Sequence, residues 1–170
     1  MSEVPLPIRL AQTIGITVAS AAAGSTLSIS FYTIPRLLES PTPLILKQWG
    51  HLFDTGRKTG PPIGMTAAAS FFYLAYALKE DRFKFLGYLV AGGLSVGIVP
   101  YTLLVLMGTN RKLLSKVEET RALGKGESMV EVGLGKETAH RLVDWWGVLN
   151  VGRGLILAAA GVVGAWTTLA

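Results

Sequence analysis

Arg153 is the residue whose setting asks most directly for chemistry. It lies about two helical turns inside an apolar run that starts near Trp145 and continues to about Leu169. A guanidinium there is costly unless it faces a polar cavity or a partner. Trp146, Asn150 and Arg153 are spaced four and three apart, which puts them on one helical face. Asn150 brings donors and an acceptor, and Arg153 a fixed cationic fork. Such a face can hold an oxygen-rich aromatic molecule or stabilise an oxyanion. The competing reading is an arginine that snorkels to the interface along its own stem.

Thr109-Asn110-Arg111 closes another apolar run and follows Pro100-Tyr101-Thr102. Taken alone it is an ordinary helix end, with Asn terminating and Arg meeting the negative terminus. His51 and His140 are the histidines of the chain, and imidazole is the side chain best suited to general base chemistry, so either is a candidate general base. His51 sits near Trp49 and Asp54. A metal site made from the two histidines with Asp54 or Asp144 has no ligand spacing to support it. Gly124-Lys125-Gly126 and Gly133-Leu134-Gly135-Lys136 do not fit a phosphate loop and read as loop glycines.

The elements that must position these residues are apolar spans. Leu10 to Ile34 carries no charge and is long enough to cross a hydrocarbon core of about 30 Å. A cleaved signal peptide is the alternative for this stretch, but the apolar run continues past Ala21-Ala22-Ala23-Gly24. Ala11, Gly15, Ala19 and Ala23 form a stripe of small residues that lets another helix approach closely. Pro35 and Arg36 should end this span. Pro35 to Gly60 then reads as a long loop, in which Leu44-Ile45-Leu46 is too short to cross and suits an interfacial or re-entrant segment.

Pro61 and Pro62 should open a second span, running to Leu78. Lys79 to Arg82 is a tight polar turn. A third span follows to Met107, with a Gly93-x-x-x-Gly97 packing signal and a kink expected at Pro100. After a polar stretch, in which Ser115 to Arg121 can be helical, comes the fourth span. Its Gly147, Gly154, Ala158, Gly161 and Ala165 lie on a common small face. The expectation is an all-α membrane protein forming one domain over residues 1–170. It is a four-transmembrane-helix bundle with spans near 10–34, 62–78, 84–107 and 145–169, plus an interfacial segment in the first long loop.

Composition agrees. Among 170 residues half are apolar and 16% charged, against about a quarter charged in a typical soluble chain. The net charge of +5 comes from basic residues flanking the spans rather than interleaved with aromatics, so it orients helices and does not point to nucleic acid. Eleven of these residues, among them Arg36, Lys47, Arg57, Lys58 and Arg111, fall in the two long loops. The positive-inside rule puts those loops in the cytosol. The absence of cysteine excludes disulfides, thiolate metal sites and thiol redox chemistry.

Val99-Pro100-Tyr101-Thr102, Met107-Gly108-Thr109-Asn110-Arg111-Lys112-Leu113, and then Trp145 or Trp146 with Asn150 and Arg153, resemble the small membrane anthrone oxygenases. These are the noranthrone monooxygenase-like proteins of polyketide clusters, chiefly fungal, and the resemblance covers nearly the whole chain. It implies oxidation of an anthrone to an anthraquinone by O2, without metal or flavin. It further implies Arg153 and Asn150 as oxyanion or hydroxyl contacts with Asn110 beside them, and His51 as the base. Trp49, Tyr101 and Trp146 would be stacking walls, with Arg111 also at the substrate. The partners implied are an aromatic polyketide, O2 and the bilayer, with a homo-oligomer left open. Eukaryotic relatives would place such a multi-pass protein in the endoplasmic reticulum. The rival readings are a cyclase or isomerase on the same scaffold, a non-catalytic assembly partner and, least favoured because no repeated half is evident, a transporter.

Overall fold

The computed structural model describes residues 4–122 and 138–170, and the described residues form helices joined by short turns. Helix α1 spans Leu6–Ser28, continues through a π-helical turn, Ile29–Thr33, and ends in the short α2, Ile34–Leu37. Helix α3 spans Thr42–Ala77 and α4 spans Arg82–Tyr101. A second π-helical turn, Thr102–Leu106, carries α4 into α5, Met107–Ala122. Helix α6 spans Ala139–Leu169. Three helical columns, Leu6–Leu37, Arg82–Arg121 and Ala139–Leu169, are long and apolar enough to cross a membrane.

Local signals start these helices where they should. Asp81 accepts from the amides of Phe83 and Lys84, satisfying donors that have no intrahelical partner, so the polar turn before α4 is as expected. Thr138 does the same for Arg141 at the start of α6, several residues before Trp145. Prolines lie in the first turns of α1 and α3, where no amide is needed.

Four boundaries differ from the sequence expectation; one is that Thr109-Asn110-Arg111 does not close the third column, which runs on as α5 to Ala122. Pro35 does not end the first column; the helix widens through its π-helical turn just before the proline and persists to Leu37. The stretch expected as a loop, Pro35 to Gly60, is mostly helix. Leu44-Ile45-Leu46 is not a separate segment but part of the start of α3, whose Ile45, Leu46 and Trp49 are buried at helical spacing. Pro61 and Pro62 lie inside α3 instead of opening a span. Both halves of that helix are pinned to one partner column: Gly50 packs on Val117 of α5, and Gly64 on Ile98 of α4. The carbonyls that the prolines free lie on an unburied stretch, which removes the usual penalty of a buried unpaired group. Pro100 is likewise accommodated within α4, and the π-helical turn follows two residues later.

The columns close a ring in which α1 lies against α3 and α6, and α4 against α3 and α6. Hence α1 is diagonal to α4, and α3 to α6. Neighbours run antiparallel: Leu27 meets Gly154 while Ser20 meets Gly161, and Phe72 meets Gly92 while Ile98 meets Gly64. The stripe on α1 is as read, with Gly15, Ala19 and Ala23 buried, and Gly147, Gly154 and Gly161 are buried on α6. The third column departs from the reading. Gly93 is exposed, and it is Gly92 that admits the Phe72 ring. Small residues suit this arrangement because, in lipid, helix association rests on close packing and not on expulsion of water.

Candidate active site

Arg153 reaches across the ring. Its Nη2 stands 3.8 Å from where a β-carbon on Gly60 would be, so a side chain of α6 meets the diagonal helix α3. Its Nε is buried without a hydrogen-bond partner. Among the described residues the ion pairs are Arg36–Glu39 and Asp54–Arg57, both within single helices and neither involving Arg153. The guanidinium is thus half-buried with no anion paired to it among the described residues, an arrangement open to an anionic ligand.

Tyr101 frames this arginine. Its hydroxyl donates to the Leu149 carbonyl at 2.9 Å, one turn before Arg153 on α6. Gly152 lies so close under the same hydroxyl that a β-carbon would collide with it. The glycine is therefore required by the approach of the ring, and the ring is held where the guanidinium emerges.

The other expected site residues are distributed around this point. Asn150 is 1% exposed, and its Nδ2 donates to the Thr26 carbonyl and to Ser30 Oγ, at 3.0 and 2.9 Å. Both amide hydrogens are thereby engaged at the π-helical turn of α1, where the regular ladder of backbone bonds is locally shifted. Trp146 Nε1 donates to Asn110 Oδ1 at 2.8 Å, a buried bond that ties α6 to α5. Trp49 stands edge-on to Trp146, with ring centroids 5.9 Å apart, and stacks on Phe53 at 5.2 Å. Its indole Nε1 is buried without a partner. The shared face of Trp146, Asn150 and Arg153 is real, but the side chains fan from it onto α5, α1 and α3 respectively.

Two expected site residues are not brought in. His51 is exposed, and two positions beyond Trp49 it points about 200° away around the helix. Arg111 is exposed next to the buried Asn110. The second histidine is structural. His140 Nε2 lies 2.9 Å from the Ser40 carbonyl and, as the donor, fastens the start of α6 to the α2–α3 turn. Among the described residues no group of three or more His, Asp or Glu is placed to hold a metal ion. The two glycine-rich loop motifs lie outside the described residues.

Gly60, Thr26 and Ser30 were not singled out from sequence. Ser and Thr in an apolar helix are common, and nothing local says which will accept from a side chain more than a hundred residues away. Gly60 did carry a signal, because Phe53, Gly56, Gly60 and Gly64 recur at helical spacing.

A family model described as anthrone oxygenase matches residues 49–163, a stretch running from Trp49 to beyond Arg153. The chain is similar to Anthrone oxygenase encC of Aspergillus fumigatus, at 32% identity over 94% of this chain and 93% of that protein. It is similar to Noranthrone monooxygenase of Aspergillus flavus, at 30% identity over 89% of this chain and 70% of that one. Monooxygenase hypC of Dothistroma septosporum is 26% identical over 92% and 82%. No solved structure matches.

Proposed function

Because the chain belongs to the anthrone oxygenase family, we propose that it oxidises an anthrone-type aromatic polyketide to an anthraquinone with O2, at the level of the bundle held by Arg153. The observation that carries this reading is the guanidinium reaching the middle of the ring with its Nε unpartnered.

An anthrone is acidic at its methylene, and its conjugate base, the anthrolate, is electron-rich. In the proposed sequence the anthrolate passes one electron to O2, giving a carbon radical and superoxide. These combine to form a carbon–oxygen bond at the former methylene, and protonation gives a hydroperoxide. Loss of the remaining hydrogen on that carbon, with departure of the distal oxygen as water, leaves the second carbonyl. One anthrone and one O2 become one anthraquinone and one water. The substrate supplies the electrons, so the scheme uses neither metal nor flavin.

Arg153 would contact the anthrolate oxygen. A fixed cation in a water-poor site stabilises the charged form of its ligand, which lowers the acidity barrier without a protein base. Asn110 and Asn150 act in this reading as positioning residues, holding α5 and α1 against α6. Tyr101, Trp146 and Trp49 wall the site. His51 has no place at the reacting atoms, and Arg111 contributes to the positive potential of its end of the bundle.

The membrane arrangement belongs to the same proposal. The second half of α3, from Gly60 to Ala77, serves as a fourth span about 27 Å long, close to the hydrocarbon thickness. The end bearing Arg36, Lys47, Arg57, Lys58 and Arg111 faces the cytosol, in the endoplasmic reticulum or a membrane derived from it. The test is to supply an anthrone to the purified protein in lipid nanodiscs, with and without O2. Quinone formation above the spontaneous rate, dependent on O2, supports the reading, and the spontaneous rate alone sinks it. Metal analysis and flavin absorbance on the active preparation test the cofactor statement.

A further inference from the structure

The bundle is packed at its two ends and along the α1–α6 side, and it is loose on the α3–α4 side between them. Toward one end Ile45, Leu46, Trp49, Leu106, Leu113 and Val143 are fully buried. Toward the other, Phe71, Leu74, Tyr88 and Ala160 are. Between Gly50 and Gly64 no residue of α3 is buried, and none is buried between Ile98 and Leu106 on the facing column. The inward stripe of α3 can be followed through this gap as Trp49, Phe53, Gly56, Gly60, Gly64 and Ala67. A β-carbon on Gly64 would press on Ile98 at 3.0 Å. One on Gly56 would meet no heavy atom within 4 Å, and one on Gly60 only the tip of Arg153. On this stripe α3 is therefore unpacked at Gly56, which is exposed, and meets only the guanidinium at Gly60. Arg153 is itself only half-buried, although Asn150 and Gly154 on either side of it along α6 are buried.

The α4 side of this opening is apolar, whereas α3 exposes Thr55, Arg57, Lys58 and Thr59 before its apolar residues begin. Val99, Leu103, Leu104 and Val105 are exposed on the α4 column, as are Ile63 and Met65 on α3. These side chains suit acyl chains and not water. Among the described residues side chains pack at both ends of the bundle, and the α3–α4 side is the open approach.

Resting on the function proposed above, we infer that the aromatic substrate reaches Arg153 sideways out of the bilayer, through a cleft between α3 and α4 at the level of Gly56–Gly60 and Tyr101–Val105. A neutral anthrone is planar and apolar and concentrates in lipid, as does O2. A glycine-lined face beside the cleft admits a flat ring system that any larger side chain would obstruct. Exposed Arg57 and Lys58 lie within the Gly56–Gly60 stretch itself, where their long stems let the charged heads reach the headgroup region and meet a phenolic edge of the substrate.

The chain has no cysteine, so Gly60→Cys and Gly93→Cys each provide one attachment point for a fluorescent bimane. Gly93 is exposed with nothing near it, a lipid-facing reference. In nanodiscs, bimane at position 60 is expected to be quenched by lipids brominated on the acyl chain, as at position 93. Quenching by aqueous iodide alone, or by neither agent, overturns lateral access whatever the enzyme's activity. The second arm is kinetic. Gly56→Trp fills the cleft away from Arg153 and should raise KM for an anthrone about tenfold or more with kcat less affected, while Gly93→Trp behaves as the parent. Parental KM in Gly56→Trp overturns the proposal. Absence of turnover in the parent protein sinks the functional reading instead, and the quenching arm still decides the route.

Discussion

Arg153 and Gly60 meet across the diagonal of the ring, the guanidinium Nη2 lying 3.8 Å from where a β-carbon on Gly60 would stand. Helices α3 and α6 are diagonal columns that also meet through Trp49 with Trp146 and Phe71 with Gly164, and Arg153 makes the contact between those two levels. The charge arrives there without an anion among the described residues. Replacing Arg153 should therefore remove a charge that the proposed function assigns to contact with the substrate.

Arg153→Ala is expected to lower kcat/KM by about a hundredfold or more while the protein still inserts, because one oriented charge at a developing anion carries a large share of catalysis. Arg153→Lys should recover part of this, since a point charge replaces the planar fork. Steady-state oxidation of an anthrone, with circular dichroism to confirm folding, makes the measurement. Parental turnover in Arg153→Ala defeats the site assignment.

His51→Ala is expected to leave kcat/KM and its pH dependence unchanged, because the imidazole is exposed on the far side of α3 from Trp49. A loss of activity with an altered pH profile would restore His51 as a base.

Tyr101→Phe keeps the ring over Gly152 and removes the hydroxyl that donates to the Leu149 carbonyl. The expected stability loss is about 1 kcal/mol, the usual net worth of such a bond. Activity should fall several-fold with rising KM, since the α4–α6 spacing beside Arg153 loosens. Thermal inactivation in detergent and kinetics on the same preparation separate the two effects.

Asn110→Leu is expected to destabilise the protein by about 1–3 kcal/mol, because the buried Trp146 indole N–H loses its acceptor. Hydrogen exchange at the start of α6 should accelerate. Unchanged exchange would show that the bond is not what joins α5 to α6.

Gly154→Ala should cost about 1–3 kcal/mol through overpacking, since the added carbon would stand 2.5 Å from Leu27 Cδ2. Gly24→Ala, on the exposed face of α1 with nothing within 4 Å, should be neutral or slightly stabilising. Equal thermal midpoints for the two variants would contradict the packing of α1 on α6.

Much of this protein is legible along the chain because its determinants are local. Uncharged runs mark the apolar columns, Asp81 marks the start of α4, and small residues at helical spacing mark the faces of α1 and α6 that pack closely. The shared face of Trp146, Asn150 and Arg153 follows from helical period alone. The continuity of α3 did not follow, because Pro61 and Pro62 read as a beginning. Only the contacts of Gly50 with Val117 and of Gly64 with Ile98 show one helix held at both ends. Asn150 and Arg153 looked alike as polar candidates. The tertiary structure separates them, engaging both amide hydrogens of Asn150 on α1 and leaving Arg153 Nε unpartnered. Helical period fixes the direction in which a side chain leaves its axis. What waits there is contributed by segments far away in the sequence, and only the closed ring of helices brings them together.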